Sequence, residues 1–461
     1  MRFLGRAVTR ATVWATGVFY RLERVGHDLP DGPVIIVTNH PNMLMDPLLA
    51  LRGADRRVRI LAKAPLFEIP VFASVLRSLD TLPLYRVQDH PDQLQRNVVA
   101  FKEAVESLSR GDTLLMFPEG KSHSQPALAP LKSGVARMSL EAENSSGWKL
   151  GVKIVPLGLT YHRKHRFRSC VVVGVGEAID VGDWRERYVE DRMAAARSLT
   201  AAVASALQQQ TLNLSDESDR ELIETADLLY ARAKGWAGWR ERESLSDRLP
   251  RLRQFAEQFA WLRVSDPERW EDLSRYLRSY ARRLKELGGG DAEVPPRYLA
   301  GRVLRYVVRE ATVLVSTLPF AALGTIAWYL PYFLSGFVRR LMKPPIETVA
   351  TVKLLAGIVL YPVAYLGWIA LAAGLGGSLA GLIVALVLPF LGYAALRWQH
   401  RRKEVWEDVR LFFQVVRHPR MRDRLAEQRA ALAAELETLG IQWSSAQAAA
   451  HAVAPTETND E

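Results

Sequence analysis

Residues 354–396 contain no Asp, Glu, Lys or Arg, and this constrains the fold more than any other feature of the chain. At about 1.5 Å rise per residue, a helical run of roughly 40 residues is twice as long as the ~30 Å hydrocarbon core of a bilayer is thick. "GLGGS" at 374–378 interrupts the run near its middle, which predicts two apolar helices folded into a hairpin. A second uncharged stretch covers 311–338. Basic residues flank both: Arg302, Arg305 and Arg309, then Arg339, Arg340 and Lys343, then Arg397, Arg401, Arg402 and Lys403. The positive-inside rule places these flanks on the cytoplasmic side and 374–378 outside. Residues 311–338 would then start and end on one side. That calls for a re-entrant or interfacial element broken at Pro319, Gly324 and Pro331, with a single span as the alternative.

The rest of the 461-residue chain divides by composition. Residues 1–28 read as an amphipathic interfacial helix. Phe3, Leu4, Val8, Val13, Trp14, Val18 and Phe19 gather on one side, with Arg2, Arg6, Arg10, Arg21 and Arg24 facing out. Over 29–210, short β-branched runs ("PVIIVTN", "RVRILAK", "TLLMFPEG", "VKIVPLGLTY", "SCVVVGVGEAI") alternate with helical stretches at 92–109 and 190–209. The fold class expected is α/β, a mostly buried sheet flanked by helices, followed by a helical region and C-terminal membrane helices. Residues 211–305 are charged and helical, with a flexible break at "GGGDAEVPP" (288–296), and 306–398 form the membrane region. Charged helices follow over 399–440, with heptad-like spacing at 421–439, and 441–461 read as a disordered tail. The single cysteine, Cys170, rules out an intrachain disulfide and a Cys-based zinc site. A net charge of +11 favours an anionic partner. Nucleic acid fits poorly, because the arginines are spread over helices beside apolar segments, where they serve as interfacial anchors.

Four polar clusters sit at the ends of the expected strands, where an α/β domain places its chemistry. They are "NHPNMLMDP" (39–47), "DTLPLYR" (80–86), "FPEGKSHS" (117–124) and "IVPLGLTY" (154–161). His40 near Asp46 offers a base whose tautomer and orientation a carboxylate can fix, so that it takes a proton from a hydroxyl as that hydroxyl attacks. No Gly-x-Ser-x-Gly elbow is present, so direct transfer from a thioester to a hydroxyl is more natural than an acyl-serine route. Arg86, Lys121 and the backbone N–H groups around Gly120 are candidates to hold a phosphate, and Glu119 to bind an acceptor's hydroxyls. Taken singly, each residue also fits a turn or a solvated charge. Their order and spacing along the domain carry the weight.

These clusters resemble the four motifs of the glycerolipid acyltransferase family, over about residues 20–210, and "LKSGVARMSL" (131–140) and "YHRKHRFRSCVVVGVGEAI" (161–179) fit the same pattern. The resemblance implies that 29–210 is an acyltransferase domain with His40 and Asp46 as its catalytic dyad. It implies phosphate binding by Arg86, acceptor contacts by Glu119 and Gly120, and an acyl-side role for Pro156. The expected partners are acyl-CoA or acyl-carrier protein as donor, a glycerol phosphate or lysophospholipid acceptor, and membrane lipid; no metal and no bound cofactor is required. Two departures from the family pattern stand out, and the first is a subfamily mark. Five residues separate His40 from Asp46, where four are usual, a spacing resembling that of fungal-type glycerol-3-phosphate acyltransferases. After Pro-Glu-Gly the chain reads Lys-Ser-His-Ser in place of Thr-Arg-Ser, so Lys121 or His123 stands in for an arginine fork that neither reproduces.

Overall fold

The computed structural model describes residues 13–54, 56, 58–68, 73, 76–77, 81–84, 96–235, 243–286, 300–417 and 419–453. They form two compact units. The first comprises residues up to Asn213 together with Ser335–Val359, and the second comprises Leu214–Leu334 and Leu360 onward.

The first unit is built on one sheet. Its strands are β1 (Tyr20–Gly26), β2 (Val34–Thr38), β3 (Val58–Lys63), β4 (Leu82–Leu84), β5 (Thr113–Met116), β6 (Lys153–Tyr161), β7 (Ser169–Val175) and β8 (Ile179–Asp180). They lie in the order β1-β7-β6-β2-β5-β3-β4, with β8 paired to β6. β2, β3, β4, β5 and β6 run parallel, whereas β7 is antiparallel to β6 and carries β1 parallel to itself. Every residue of β2, β5 and β7 is buried, as strands covered on both faces require. The covering helices are α1 (Met45–Ala54), α2 (Arg96–Ser109), α3 (Gly134–Ser145), α4 (Arg185–Glu190) and α5 (Arg192–Gln210). This is the α/β class expected from the sequence.

The amino-terminal segment differs from the expected helix. Residues 1–12 lie outside the described residues, 13–19 are helical, and Tyr20–Gly26 is strand β1. Pairing with β7 decides this, in register from Tyr20 opposite Ser169 to Gly26 opposite Val175. A long-range ladder overrides the local helical pattern, and Phe19 and Tyr20 are buried. A second difference lies far along the chain. Ala350 and Leu354 pack into the core formed by β1, β2, β6, β7 and α1, although the sequence groups them with the membrane region.

In the second unit, α6 (Asp219–Ala233), α7 (Leu245–Ser265), α8 (Pro267–Glu286) and α11 (Pro419–Val453) bury Leu222, Leu229, Phe255, Phe259, Leu277, Leu436 and Leu439 among them. Helix α11 continues to Val453 through residues read as a disordered tail, because an alanine-rich run costs little to hold helical. Residues 454–461 and the 288–296 break lie outside the described residues. The chain also forms α9 (Ala300–Met342) and α10 (Val349–Arg417), two helices long and apolar enough to cross a membrane. Within α10, Gly377 leaves helical geometry at φ 79° and ψ 178°. The two arms lie alongside each other, with the Tyr365 hydroxyl donating to the Ala385 carbonyl at 2.8 Å. The breaks expected at Pro319, Gly324 and Pro331 are absent, since α9 is helical through all three. Gly324 serves contact instead: a Cβ there would come within 2.0 Å of the Leu391 carbonyl oxygen, so the two backbones meet closely.

Candidate active site

Parallel neighbours deliver their following loops to the same edge of a sheet. β2 lies between β5 and β6 and is parallel to both, with Val37 opposite Met116 and Thr38 opposite Leu157. The loop after β2 (His40), the loop after β5 (Glu119) and the carboxyl end of β6 (Tyr161) therefore emerge together. Asn39 secures the junction by continuing the ladder with its side chain. Its Nδ2 donates to the Leu159 carbonyl at 3.0 Å, and its Oδ1 accepts from the Leu159 N–H at 2.8 Å.

His40 Nδ1 and Asp46 Oδ2 are 2.8 Å apart, with the imidazole 19% exposed and the carboxylate fully enclosed. A carboxylate only accepts, so Nδ1 carries a proton, and in the neutral ring the lone pair is on Nε2. The ring stacks on Phe117, centroids 4.1 Å apart. Asp46 occupies the first turn of α1, where the helix dipole favours a negative charge. It accepts twice more: from the Asn42 N–H at 2.6 Å and from the Tyr161 hydroxyl at 2.5 Å. Burial, then the Asp46 charge, holds the Tyr161 phenol well above the ordinary tyrosine range.

The five-residue spacing has a local explanation. Met43 adopts φ 44°, a left-handed conformation uncommon outside glycine, and this takes up the extra residue before α1 starts. The Met43 N–H donates to Ser122 Oγ at 3.1 Å, tying the turn to the loop after β5.

Glu119 is buried and occupied by protein donors. Its Oε1 accepts from the His40 N–H at 2.8 Å, and its Oε2 accepts from the Ala129 N–H at 2.9 Å and pairs with His123 Nε2. The His123 N–H in turn donates to the His40 carbonyl at 3.1 Å. Glu119 thus binds the two loops to each other. Gly120 sits at φ +71°, and a Cβ there would come within 2.7 Å of Lys132 Nζ. Lys121 is exposed beside it.

Not every expected residue joins this arrangement. Pro156 is buried inside β6 opposite Val37, its carbonyl accepting from the Gly176 N–H at 2.8 Å. Arg86 lies outside the described residues. Sequence reasoning passed over Lys132 and Lys164, which the fold brings to this edge. Lys164 Nζ donates to the Pro41 carbonyl at 3.1 Å and to Ser124 Oγ at 2.8 Å, and Ser124 donates to Glu347 Oε2 at 2.9 Å. Both lysines lie in stretches that fit the family pattern, and that was the only signal for them.

Residues 21–160 match the acyltransferase family model, a stretch that holds His40, Asp46, Glu119 and Pro156. The match identifies this stretch as an acyltransferase domain. Among similar proteins, glycerol-3-phosphate O-acyltransferase 2 of Saccharomyces cerevisiae is 28% identical over 286 residues, 58% of this chain and 37% of its own length. Glycerol-3-phosphate O-acyltransferase 1 of the same yeast is 33% identical over 133 residues, 28% of this chain and 17% of its own. A chloroplastic 1-acyl-sn-glycerol-3-phosphate acyltransferase of Brassica napus is 26% identical over 155 residues, 32% of this chain and 41% of its own. The chain spans less than half the length of each of these relatives.

Proposed function

We propose that this chain is a membrane-bound acyltransferase of phospholipid biosynthesis, moving a fatty acyl group from acyl-CoA or acyl-carrier protein to a hydroxyl of glycerol-3-phosphate or lysophosphatidate. The observation that carries the reading is the 2.8 Å bond from His40 Nδ1 to an enclosed Asp46, which leaves Nε2 as the available base at a strand edge. The acceptor hydroxyl attacks the thioester carbonyl while Nε2 takes its proton. The tetrahedral intermediate then expels the thiolate, which recovers that proton from the imidazolium. Asp46 holds the ring in place and stabilises its charge between the two steps.

Lys121, Lys132 and Arg86 are the cations we assign to the acceptor's phosphate. The names of the similar proteins support a glycerol-3-phosphate or 1-acylglycerol-3-phosphate acceptor. An apolar donor chain and a lipid product are consistent with two helices able to enter a bilayer. The basic flanks of those helices support a catalytic domain on the cytoplasmic side. The test is product analysis. Purified protein in detergent is offered glycerol-3-phosphate and lysophosphatidate in parallel, each with acyl-CoA or acyl-carrier protein. We expect an acylated product from at least one pairing, and its loss in His40→Ala. A His40→Ala protein that kept more than a few per cent of turnover would exclude the dyad.

A further inference from the structure

Asp46 has a second oxygen that His40 does not touch. Its partner is Tyr161, the last residue of β6, whose hydroxyl donates to Oδ1 at 2.5 Å. Among the described residues, Tyr161 is the one side chain besides His40 whose hydrogen bond reaches this carboxylate. We propose that Tyr161 is a positioning residue for acyl transfer, setting the orientation and effective charge of Asp46 and, through them, the basicity of His40. The proposal rests on the acyltransferase reading above.

The geometry makes the phenol hard to replace. Oδ2 takes the His40 and Asn42 donors, so without Tyr161 the other oxygen would sit enclosed and unpaired. A buried charged acceptor without a donor is costly, and the carboxylate would turn or draw in water to escape that state. Because burial keeps its proton on, Tyr161 remains a donor at neutral pH and well above it. Each donor to a carboxylate also draws off some of its negative charge, and the remainder is what stabilises an imidazolium beside it. Tyr161 therefore limits how strongly Asp46 holds a proton on His40, so that Nε2 can take a proton from the acceptor and release it to the departing thiolate.

The other groups facing this cluster act at a remove. Tyr20 of β1 packs its ring 5.4 Å from that of Tyr161, accepts from Asn42 Nδ2 at 2.8 Å and donates to the Lys164 carbonyl. Burial raises its phenol as well. Glu119, paired with His123, bonds the His40 backbone, and the Lys164 ammonium bonds the Pro41 carbonyl. None of these reaches the Asp46 oxygens. Tyr20 thus provides a matched control: a buried tyrosine in contact with Tyr161 whose hydroxyl serves other partners.

The experiment compares pH–rate profiles of the full chain in detergent as wild type, Tyr161→Phe, Tyr20→Phe and Tyr161→3-fluorotyrosine. Tyr161→Phe should lower kcat about tenfold with both KM values unchanged, and move the acidic limb up by roughly half a pH unit. The fluorinated phenol keeps the shape and is the stronger donor, so its limb should move down. Tyr20→Phe should leave the limb in place. A limb that stays put in both Tyr161 variants overturns the proposal however far kcat falls, because packing alone then accounts for the loss. So does a limb that Tyr20→Phe moves equally. If Tyr161→Phe does not fold, the fluorotyrosine variant decides alone. His40→Ala, run in parallel, separates the two possible failures. Turnover that ignores His40 sinks the dyad, whereas turnover that needs His40 with an unmoved limb sinks only the role of Tyr161.

Discussion

Asp46 in the α/β unit and Asp227 in the helical unit are both fully buried, yet their surroundings are opposite in kind. Asp227 accepts from Arg248 Nε at 2.7 Å and Arg251 Nε at 2.8 Å, and Arg251 also donates to Glu243. Guanidinium groups stay charged at any working pH, so that carboxylate is permanently neutralised and its charge is committed to joining α6 and α7. Asp46 has a backbone N–H, a phenol and one imidazole. Only the imidazole can become a cation, and it does so only when it gains a proton. A carboxylate held mostly by neutral donors keeps its charge available for a proton in transit. Burial alone does not distinguish the two sites; the permanence of the countercharge does.

Removing each carboxylate tests this distinction. Asp46→Asn should cost the most where it is measured, lowering kcat by about three to four orders of magnitude while the melting curve stays near that of wild type. Asp227→Ala should act on stability, because it leaves Arg248 and Arg251 without their shared anion. Chemical denaturation should show a loss of about 3–5 kcal/mol. A loss below about 1 kcal/mol would mean that this pair behaves like a surface bridge, and the contrast would fail. The smallest effect is expected at Ser124, whose hydroxyl joins the Lys164 ammonium to Glu347 in a partly exposed setting. Ser124→Ala should cost under about 1 kcal/mol, read from the same denaturation curves. A loss of several kcal/mol would show that the loop after β5 depends on that link as heavily as the helical unit depends on Asp227.

What could be read from the sequence was what is local in it. β2 and β5 appear as unbroken apolar runs because both faces of the sheet are covered, and polar residues just after them mark the site edge. Glu119 was visible as a residue, but its hydrogen-bond partners were not, since they come from the other loop and from Ala129. Tyr161 stood in a quoted motif with nothing to show that its hydroxyl meets a carboxylate 115 residues earlier. β1 was hidden for the same reason. "YRLERVG" has no clear alternation of its own, and only the β7 ladder makes it a strand. The extra residue between His40 and Asp46 was countable, but its left-handed conformation at Met43 was not.

Ala350 and Leu354, which close the core around β1, β2 and α1, lie beyond α9 in the chain. This fixes an order of events during synthesis. The strands and the His40 loop are made first, but the ribosome cannot supply the last pieces of their core until all of α9 has been translated. The nascent α/β domain is therefore incompletely filled while that long apolar helix is being translated. Completion of that core follows translation of that helix.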